Sequence, residues 1–464
     1  MCRSSTEPGG PRRCASDTRT SYRQAAAAVA LLEHTQATAE AHTRYGCPTT
    51  EFTMPLPPGV EPALLIARRA GTPFIVGGAV RDAALGVDPK DIDIEVHGTN
   101  IDALARCYRL NGFQVDEVGR QFGVLKISKR GVVDDLDVSV PRRDSKIAAG
   151  HRGFAVDLDT GMTVTEAAAR RDFTINALLY DPRHHLLLDP FGGAADLKTR
   201  TLRHVSEQFR EDPLRVLRGA QMAGRFGMTL HPDTAALCRQ LRPNFNELAV
   251  ERTREEWAKL FTKSTRPDLA LRALQDSGWD DTVPGLRSAL SDPRTHHAFT
   301  RLSGVPEKDR VTVGAAVLSA TMSPSDREQF LHHTVTGTAN ARIAADLAAT
   351  PAQAADTGYD RNRYAHHMFK RGFTFDRYLT YAQTLGDPTA IQSARAAVSE
   401  GIGAGPQPAL IQGRDVLAAV GGSRKPGPWV GELVDRALDH QHRGDFHSRE
   451  AALRWITQEI PRRT

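Results

Sequence analysis

The 464-residue sequence predicts an α+β fold, a small sheet-bearing first half followed by an all-helical C-terminal half. Two observations carry this. From Pro55 to about Val205 short apolar runs alternate with helical stretches, the pattern of a sheet with helices packed on it. From Glu211 onward apolar residues recur at helical spacing and strand-like alternation ceases.

The first half is organised around Phe74 to Val96, FIVGGAVRDAALGVDPKDIDIEV. Phe74, Ile75 and Val76 read as a strand that ends in Gly77 and Gly78, a turn opening onto a short helix whose first amides can face an anion. Arg81 adds a fixed positive charge one turn later. After a break from Gly86 to Lys90, Asp91, Ile92, Asp93 and Ile94 alternate, so on a strand both aspartates share one face and both isoleucines the other. Neighbouring carboxylates repel and are stable together mainly when they share a cation, and hard oxygens at this spacing suit Mg²⁺. Taken singly, a Gly-Gly pair is usually just a turn and an Asp-x-Asp a solvated edge. In this order and spacing they are the equipment of nucleotidyl transfer.

Taken in order, residues 1–54 read as a mostly disordered extension rich in Ala, Thr, Ser and Arg, with Met54 as an alternative start. Glu7, Asp17, Glu33 and Glu40 argue against a targeting peptide. Glu61 to Ala70 is predicted helical and stops at Gly71, and Asn100 caps a helix running to Leu110. Strands are predicted over Phe113 to Val118, Val124 to Ser128 and Val133 to Val140. On the last, Asp135, Asp137 and Ser139 share a face, making Asp137 the candidate third carboxylate, while Asp134 and Asp135 read equally well as solvated. Pro141 to Gly161 lacks periodicity and reads as a mobile loop.

Arg170 to Ala177 spells RRDFTINA. The arginine pair offers planar donors for phosphates, and Asp172 and Asn176 can hydrogen-bond sugar hydroxyls; a structural ion pair against the core is the alternative. Further on, Asp189, Gly192, Gly193 and Asp196 suit a turn and helix start. In EDPLRVLRGAQMAGRF, Glu211 to Phe226, Pro213 belongs in a first helical turn and places Asp212 near the N-terminal cap. Asp212 and Arg215 share a face and can present acceptor and donors to a base edge, with Arg218 continuing it. Capping plus a Glu211 to Arg215 pair worth about 0.3 kcal/mol is the simpler reading of this window.

These stretches together resemble the motifs of the class II tRNA nucleotidyltransferase and bacterial poly(A) polymerase family. The first is GGxVRDxxLG followed by DxD; the second, RRDFTINA, matches completely; EDxxR at Glu211 to Arg215 and ERTREEWAKLF at Glu251 to Phe261 resemble the fourth and fifth. The resemblance is dense from Phe74 to about Lys263 and thin beyond. It implies a polymerase-beta-like palm with a small mixed sheet over 55–205, a helical nucleobase-recognition neck over 206–265, a helical body over 266–401 and a helical tail over 409–464. It further implies that Asp91, Asp93 and Asp137 serve catalysis, the first two holding Mg²⁺. Gly77, Gly78, Arg81 and Arg171 would clamp the triphosphate, Asp172 and Asn176 would address the ribose, and Asp212 and Arg215 would select the base of CTP or ATP, with Arg218 on the same face as a further nucleotide-binding residue. The implied activity is CCA addition to the 3′ end of tRNA. Poly(A) polymerases and enzymes restricted to CC or A addition share the motifs, and a noncatalytic RNA-binding relative or a small-molecule nucleotidyltransferase stands further off. One departure is Gln221, where many relatives carry arginine.

Net charge of +5 and a pI near 9.0 favour a polyanionic partner. The absence of a long apolar run argues for a cytoplasmic protein without membrane segments. Five scattered cysteines show no CxxC, so neither zinc nor disulfides are indicated. The body contains no His-Asp dipeptide, so the phosphohydrolase module of many relatives is missing its signature, and the His pairs at 296–297, 332–333 and 366–367 read as surface residues. Between Arg361 and Arg377, arginines and lysine interleave with Tyr364, Phe369, Phe373 and Phe375, suiting either RNA stacking or a packed helix with a basic outer face.

Overall fold

A computed structural model describes residues 45–89, 91–146, 154–350, 368, 369, 371–405, 408–421 and 425–459. They fall into two compact units, one comprising Met1–Gly219, Phe226–Ala249 and Asp276–Trp279, the other Ala220–Arg225, Val250–Gln275 and Asp280–Thr464.

The first unit is built on a mixed sheet of eight strands among the described residues. In chain order these are β1 (Thr49–Glu51), β2 (Thr72–Val76), β3 (Asp93–His97), β4 (Gln114–Asp116), β5 (Val124–Lys129), β6 (Val133–Ser139), and, beyond an inserted hairpin, β9 (Leu179–Asp181) and β10 (Leu186–Leu188). Their spatial order is β1-β10-β9-β2-β3-β6-β5-β4, antiparallel except where β3 lies parallel to β6. That one parallel pair needs a crossover, supplied by the helix Ile101–Leu110, whose N-terminus is capped by the Asn100 side chain accepting from the Ala103 amide at 2.8 Å. The helix Val60–Ala67 precedes β2, and Gly78–Ala84 follows it. Phe74, Val76, Leu179, Leu186 and Leu188 join Cys47 and Val164 in a buried cluster on one face of the sheet.

Two expectations change here. The extension read as disordered over 1–54 ends in ordered structure: β1 pairs with β10, Cys47 is buried, and Tyr45 donates its hydroxyl to Asp181. Residues 1–44 lie outside the described residues. The loop expected over Pro141 to Gly161 contains a second small sheet, β7 (Arg142–Lys146) antiparallel to β8 (Phe154–Leu158).

The second unit is helical. Pro267, Pro293 and Pro324 each open a helix, because a first turn has no intrahelical use for the missing amide hydrogen. Phe373 and Phe375 are 1% exposed, Arg371 pairs with Asp346 at 2.6 Å and Arg377 with Asp309 at 2.8 Å. Among the described residues of that stretch, the packed-helix alternative therefore replaces the stacking one, although Phe369 stays exposed; Arg361, Arg363, Tyr364 and Lys370 lie outside them. The last three helices, Gly413–Val420, Pro428–His442 and Arg449–Glu459, enclose a small core around Val416, Leu433 and Ile456. No helix among the described residues is long and apolar enough to cross a membrane. The described cysteines Cys47, Cys107 and Cys238 are free, and burial pushes the Cys47 thiol up to about 11 and the Cys238 thiol up to about 12.

Phe74 packs edge-on against Tyr45 and His97 with ring centroids 5.8 and 5.3 Å away. Truncating it leaves a cavity under the central strand, so Phe74→Ala should lose about 3–5 kcal/mol of stability in urea unfolding.

Candidate active site

Strand β3 begins at Asp93, so Asp91 stands just before the strand rather than on it. The alternation survives that boundary: Asp91 and Asp93 are exposed while Ile92 and Ile94 are buried. Asp93 lies directly opposite Asp137 in the parallel ladder of β3 and β6, on strands about 4.8 Å apart. All three aspartates, with Asp134, Asp135 and Lys126, line a cavity of about 410 Å³. Lys126 Nζ sits 2.9 Å from Asp135 Oδ2 and 3.7 Å from Asp137 Oδ1, one cation already drawn to the cluster.

The Asp93 carboxyl is raised above its ordinary value, first by loss of water around it and then by Asp137, Asp91 and Glu95, against the pull of Arg171. Concentrated carboxylates that resist ionisation are relieved by a divalent ion. Among the described residues no three acidic, histidine or cysteine side chains converge as a ready ligand cage. Two carboxylates in register with open space beside them nevertheless fit a hard divalent cation, which commonly takes one or two carboxylates and completes its shell with water and substrate phosphates.

The glycine turn follows from the end of β2. Gly77 has φ +73°, and a Cβ there would stand 2.8 Å from Arg171 Nη1 and 3.9 Å from Asp93 Oδ2. Only glycine lets that guanidinium approach the turn. Arg171 is held from behind by Glu95, a carboxylate 1% exposed whose Oε2 lies 3.8 Å from Arg171 Nη2 and 2.9 Å from Arg170 Nη2. Burial alone would raise the Glu95 carboxyl, but the His97 hydrogen bond at 3.2 Å and the two arginines hold it well below the usual range. The Arg171 Nε is buried without a hydrogen-bond partner. The sequence reading passed over Glu95, although its signal was present: the alternation continues from Asp91 and Asp93 to Glu95 and His97, one polar face along the strand.

Other anticipated contacts turn inward. Arg81 is buried, donating from Nη1 to Asn176 Oδ1 at 2.6 Å and from Nε and Nη2 to Asp82 Oδ1 at 2.8 and 2.6 Å, with its guanidinium 4.4 Å above the Phe226 ring. Asn176 Nδ2 donates to Asp172 Oδ1 at 2.8 Å, and Arg218 reaches Asp172 Oδ2 at 2.8 Å. Asp172, Asn176 and Arg81 thus form one buried chain with Arg218 at its end, rather than three separate ligands facing a nucleotide. Burial pushes the Asp172 carboxyl upward, but the Arg218 charge and the bonds from Asn176 and the Phe173 amide hold it below the ordinary value.

Asp212 accepts from the Leu214 amide at 3.2 Å, opening the helix Leu214–Phe226. Arg215 donates to the Arg170 and Gln208 carbonyls at 2.6 and 2.9 Å and stands 6.0 Å from the Phe209 ring. Both are half-buried, one turn apart on the same helix start, with Arg215 rigidly braced. Gln221 is buried and its Nε2 has no partner. The turn and helix start expected at Asp189 to Asp196 form, with Asp189 accepting from the Gly193 and Ala194 amides at 2.7 and 3.0 Å.

A glycine turn, a guanidinium beside it and paired carboxylates on adjacent strands thus lie together in the first unit. Residues 73–203 match the family model described as the poly A polymerase head domain, and residues 227–290 that of the probable RNA and SrmB-binding site of polymerase A. Over these stretches the motif resemblance therefore holds. The chain is 39% identical over 239 residues to the multifunctional CCA protein of Xylella fastidiosa (strain M23), covering 50% of this chain and 52% of that protein. It is 40% identical over 209 residues to that of Stenotrophomonas maltophilia, covering 44% and 49%. The matches thus span about half the length of these relatives. The fold is that of CCA-adding enzymes: the Bacillus stearothermophilus enzyme in complex with CTP superposes with TM-score 0.64 at 23% identity, covering 87% of this chain and 98% of that one. The Thermotoga maritima enzyme complexed with tRNA-CCA superposes with TM-score 0.57 at 17% identity, covering 87% and 99%.

A carboxyl held below its ordinary value stabilises the fold above about pH 5, and that contribution fades as pH falls through the lowered value. Asp172→Asn, which leaves Arg218 beside a neutral amide, should cost about 3 kcal/mol at pH 7. Urea unfolding of both proteins should show the gap narrowing as pH falls below the ordinary aspartate range and through the lowered value, where the wild-type carboxylate itself protonates.

Proposed function

We propose that this chain adds CCA to the 3′ end of tRNA from CTP and ATP, without a nucleic-acid template, releasing pyrophosphate. The observation that carries the reading is the register of Asp93 against Asp137 beside the Gly77 turn and Arg171. The head-domain match, the CCA proteins among the relatives and the CCA-adding folds support the choice of reaction. A tRNA substrate sets the work in the cytoplasm.

In this reading Asp91 and Asp93, with Asp137, hold divalent metal, assigned as Mg²⁺. When bound, such ions lower the pKa of the RNA 3′-hydroxyl and offset charge on the departing pyrophosphate. The backbone amides at Gly77 and Gly78 and the Arg171 guanidinium bind the triphosphate, and Glu95 keeps Arg171 aimed at the turn. The bond from the ribose 3′-oxygen to the α-phosphorus forms as the α–β phosphoanhydride breaks. Asp212 and Arg215 offer an acceptor and donors to the base, and their braced geometry lets protein groups do the choosing. Arg81, Asp172 and Asn176 position these parts from behind, and Arg218 anchors that chain to the base-reading helix.

Loss of the carboxylate pair should remove several kcal/mol of charge stabilisation. Asp93→Ala should therefore cut incorporation about a thousandfold while tRNA affinity in filter binding stays near wild type. Undiminished incorporation would reject the metal assignment.

The alternative reading is a poly(A) polymerase, favoured by the name of the matched head model. Purified protein incubated with tRNA lacking CCA and each nucleotide singly separates the two. CCA addition predicts two cytidines from CTP alone, one adenosine only after them, and nothing from GTP or UTP. Long adenosine tails from ATP alone would overturn it.

A further inference from the structure

A second cavity, of about 790 Å³, opens in the first unit at the other end of β2 and β3. The carboxylate pair sits where Val76 faces Asp93, and the cavity where Thr72 faces His97, four residues or roughly 13 Å along the same strands. Its volume lies in the range that takes a small organic ligand.

Its acids are spoken for. Asp181 accepts from the Tyr45 hydroxyl, from the Arg183 amide at 2.8 Å and lies 2.6 Å from His184 Nδ1. The nearby Glu95 serves His97 and Arg170. Its arginines are not: the side chains of Arg68 and Arg183 both line the cavity and make no hydrogen bond or ion pair with the described residues. The Arg68 Nε is fully buried and has no acceptor at all. Arg68 as a whole is half-buried and Arg183 is exposed, so both guanidinium groups remain open to an arriving anion. Beside these charges, Phe74, Met162 and Val164 lie just behind the cavity lining, nearly fully buried.

We propose that this cavity is a second, noncatalytic site for a phosphate-bearing ligand of nucleotide size, its phosphate paired by Arg68 and Arg183. Two planar guanidinium forks suit a dianionic phosphate better than a single carboxylate. A free nucleotide and a phosphate group of bound RNA offer the same chemistry.

The test is equilibrium dialysis of radiolabelled ATP with the full chain and with its Arg68→Gln/Arg183→Gln double variant, alongside filter binding of a tRNA transcript to both. A second ATP site weakened about tenfold or more in the variant, with the first unchanged, assigns free nucleotide as the source. ATP binding unchanged but tRNA affinity reduced about tenfold assigns an RNA phosphate. Both unchanged in a variant that melts like wild type overturns the proposal. The single variants Arg68→Gln and Arg183→Gln carry the same readout should the double variant melt early.

Discussion

The structure of the head depends on one buried carboxylate. Asp172 is shared by Asn176 and Arg218, and through Asn176 it reaches Arg81 and so Asp82. Each link joins a different part of the sequence: the helix after the glycine turn, the RRDFTINA stretch and the helix that begins at Leu214. Buried polar networks of this kind are demanding, because each member left unsatisfied carries a full desolvation cost, and when complete they fix one arrangement. Here the arrangement fixed is that of the glycine turn, the arginine pair and the helix start carrying Asp212 and Arg215.

Strand β3 divides its labour along one face. Its first residue, Asp93, and Asp91 just ahead of it are offered to solvent, where a cation can reach them. Its second half buries Glu95 and His97, where a carboxylate can hold arginines in place. The same side-chain period thus supplies a metal-seeking end and an arginine-holding end, and the difference between them is depth, not residue type. Arg171 spans the two, close to Glu95 at one side and to the turn beside Asp93 at the other.

That difference in depth also explains what could be seen from residues alone. The strands carrying Asp93 and Asp137 were legible because isoleucine, leucine and valine alternate with acids there, and a period of two survives any tertiary context. Glu95 was passed over because glutamate after an apolar residue looks like a solvated position, and only the neighbouring Arg170 and Arg171, distant in sequence, make its burial tolerable. Asp172, Asn176 and Arg81 have the composition of nucleotide ligands, and spacing cannot say whether such groups face a cavity or one another. Phe373 and Phe375 left two readings open in the sequence: aromatics among arginines suit RNA or a packed helix alike, and only the fold shows that these pack in a core while Arg371 and Arg377 find aspartates on helices. The hairpin of β7 and β8 gave no signal, since RRDSK shows no apolar alternation. β1 was missed because three residues, Thr49 to Glu51, are too few to show a period.

That short strand has a further consequence. Thr49 to Glu51 cover the backbone of Leu186, Leu187 and Leu188, which would otherwise form the rim of the sheet. Three consecutive leucines with unpaired amides and carbonyls are a template for a foreign strand. A chain shortened to begin at Met54 would keep every residue of the site yet expose that rim, and it would be prone to self-association through it. The few residues ahead of the glycine turn thus act as a guard against aggregation.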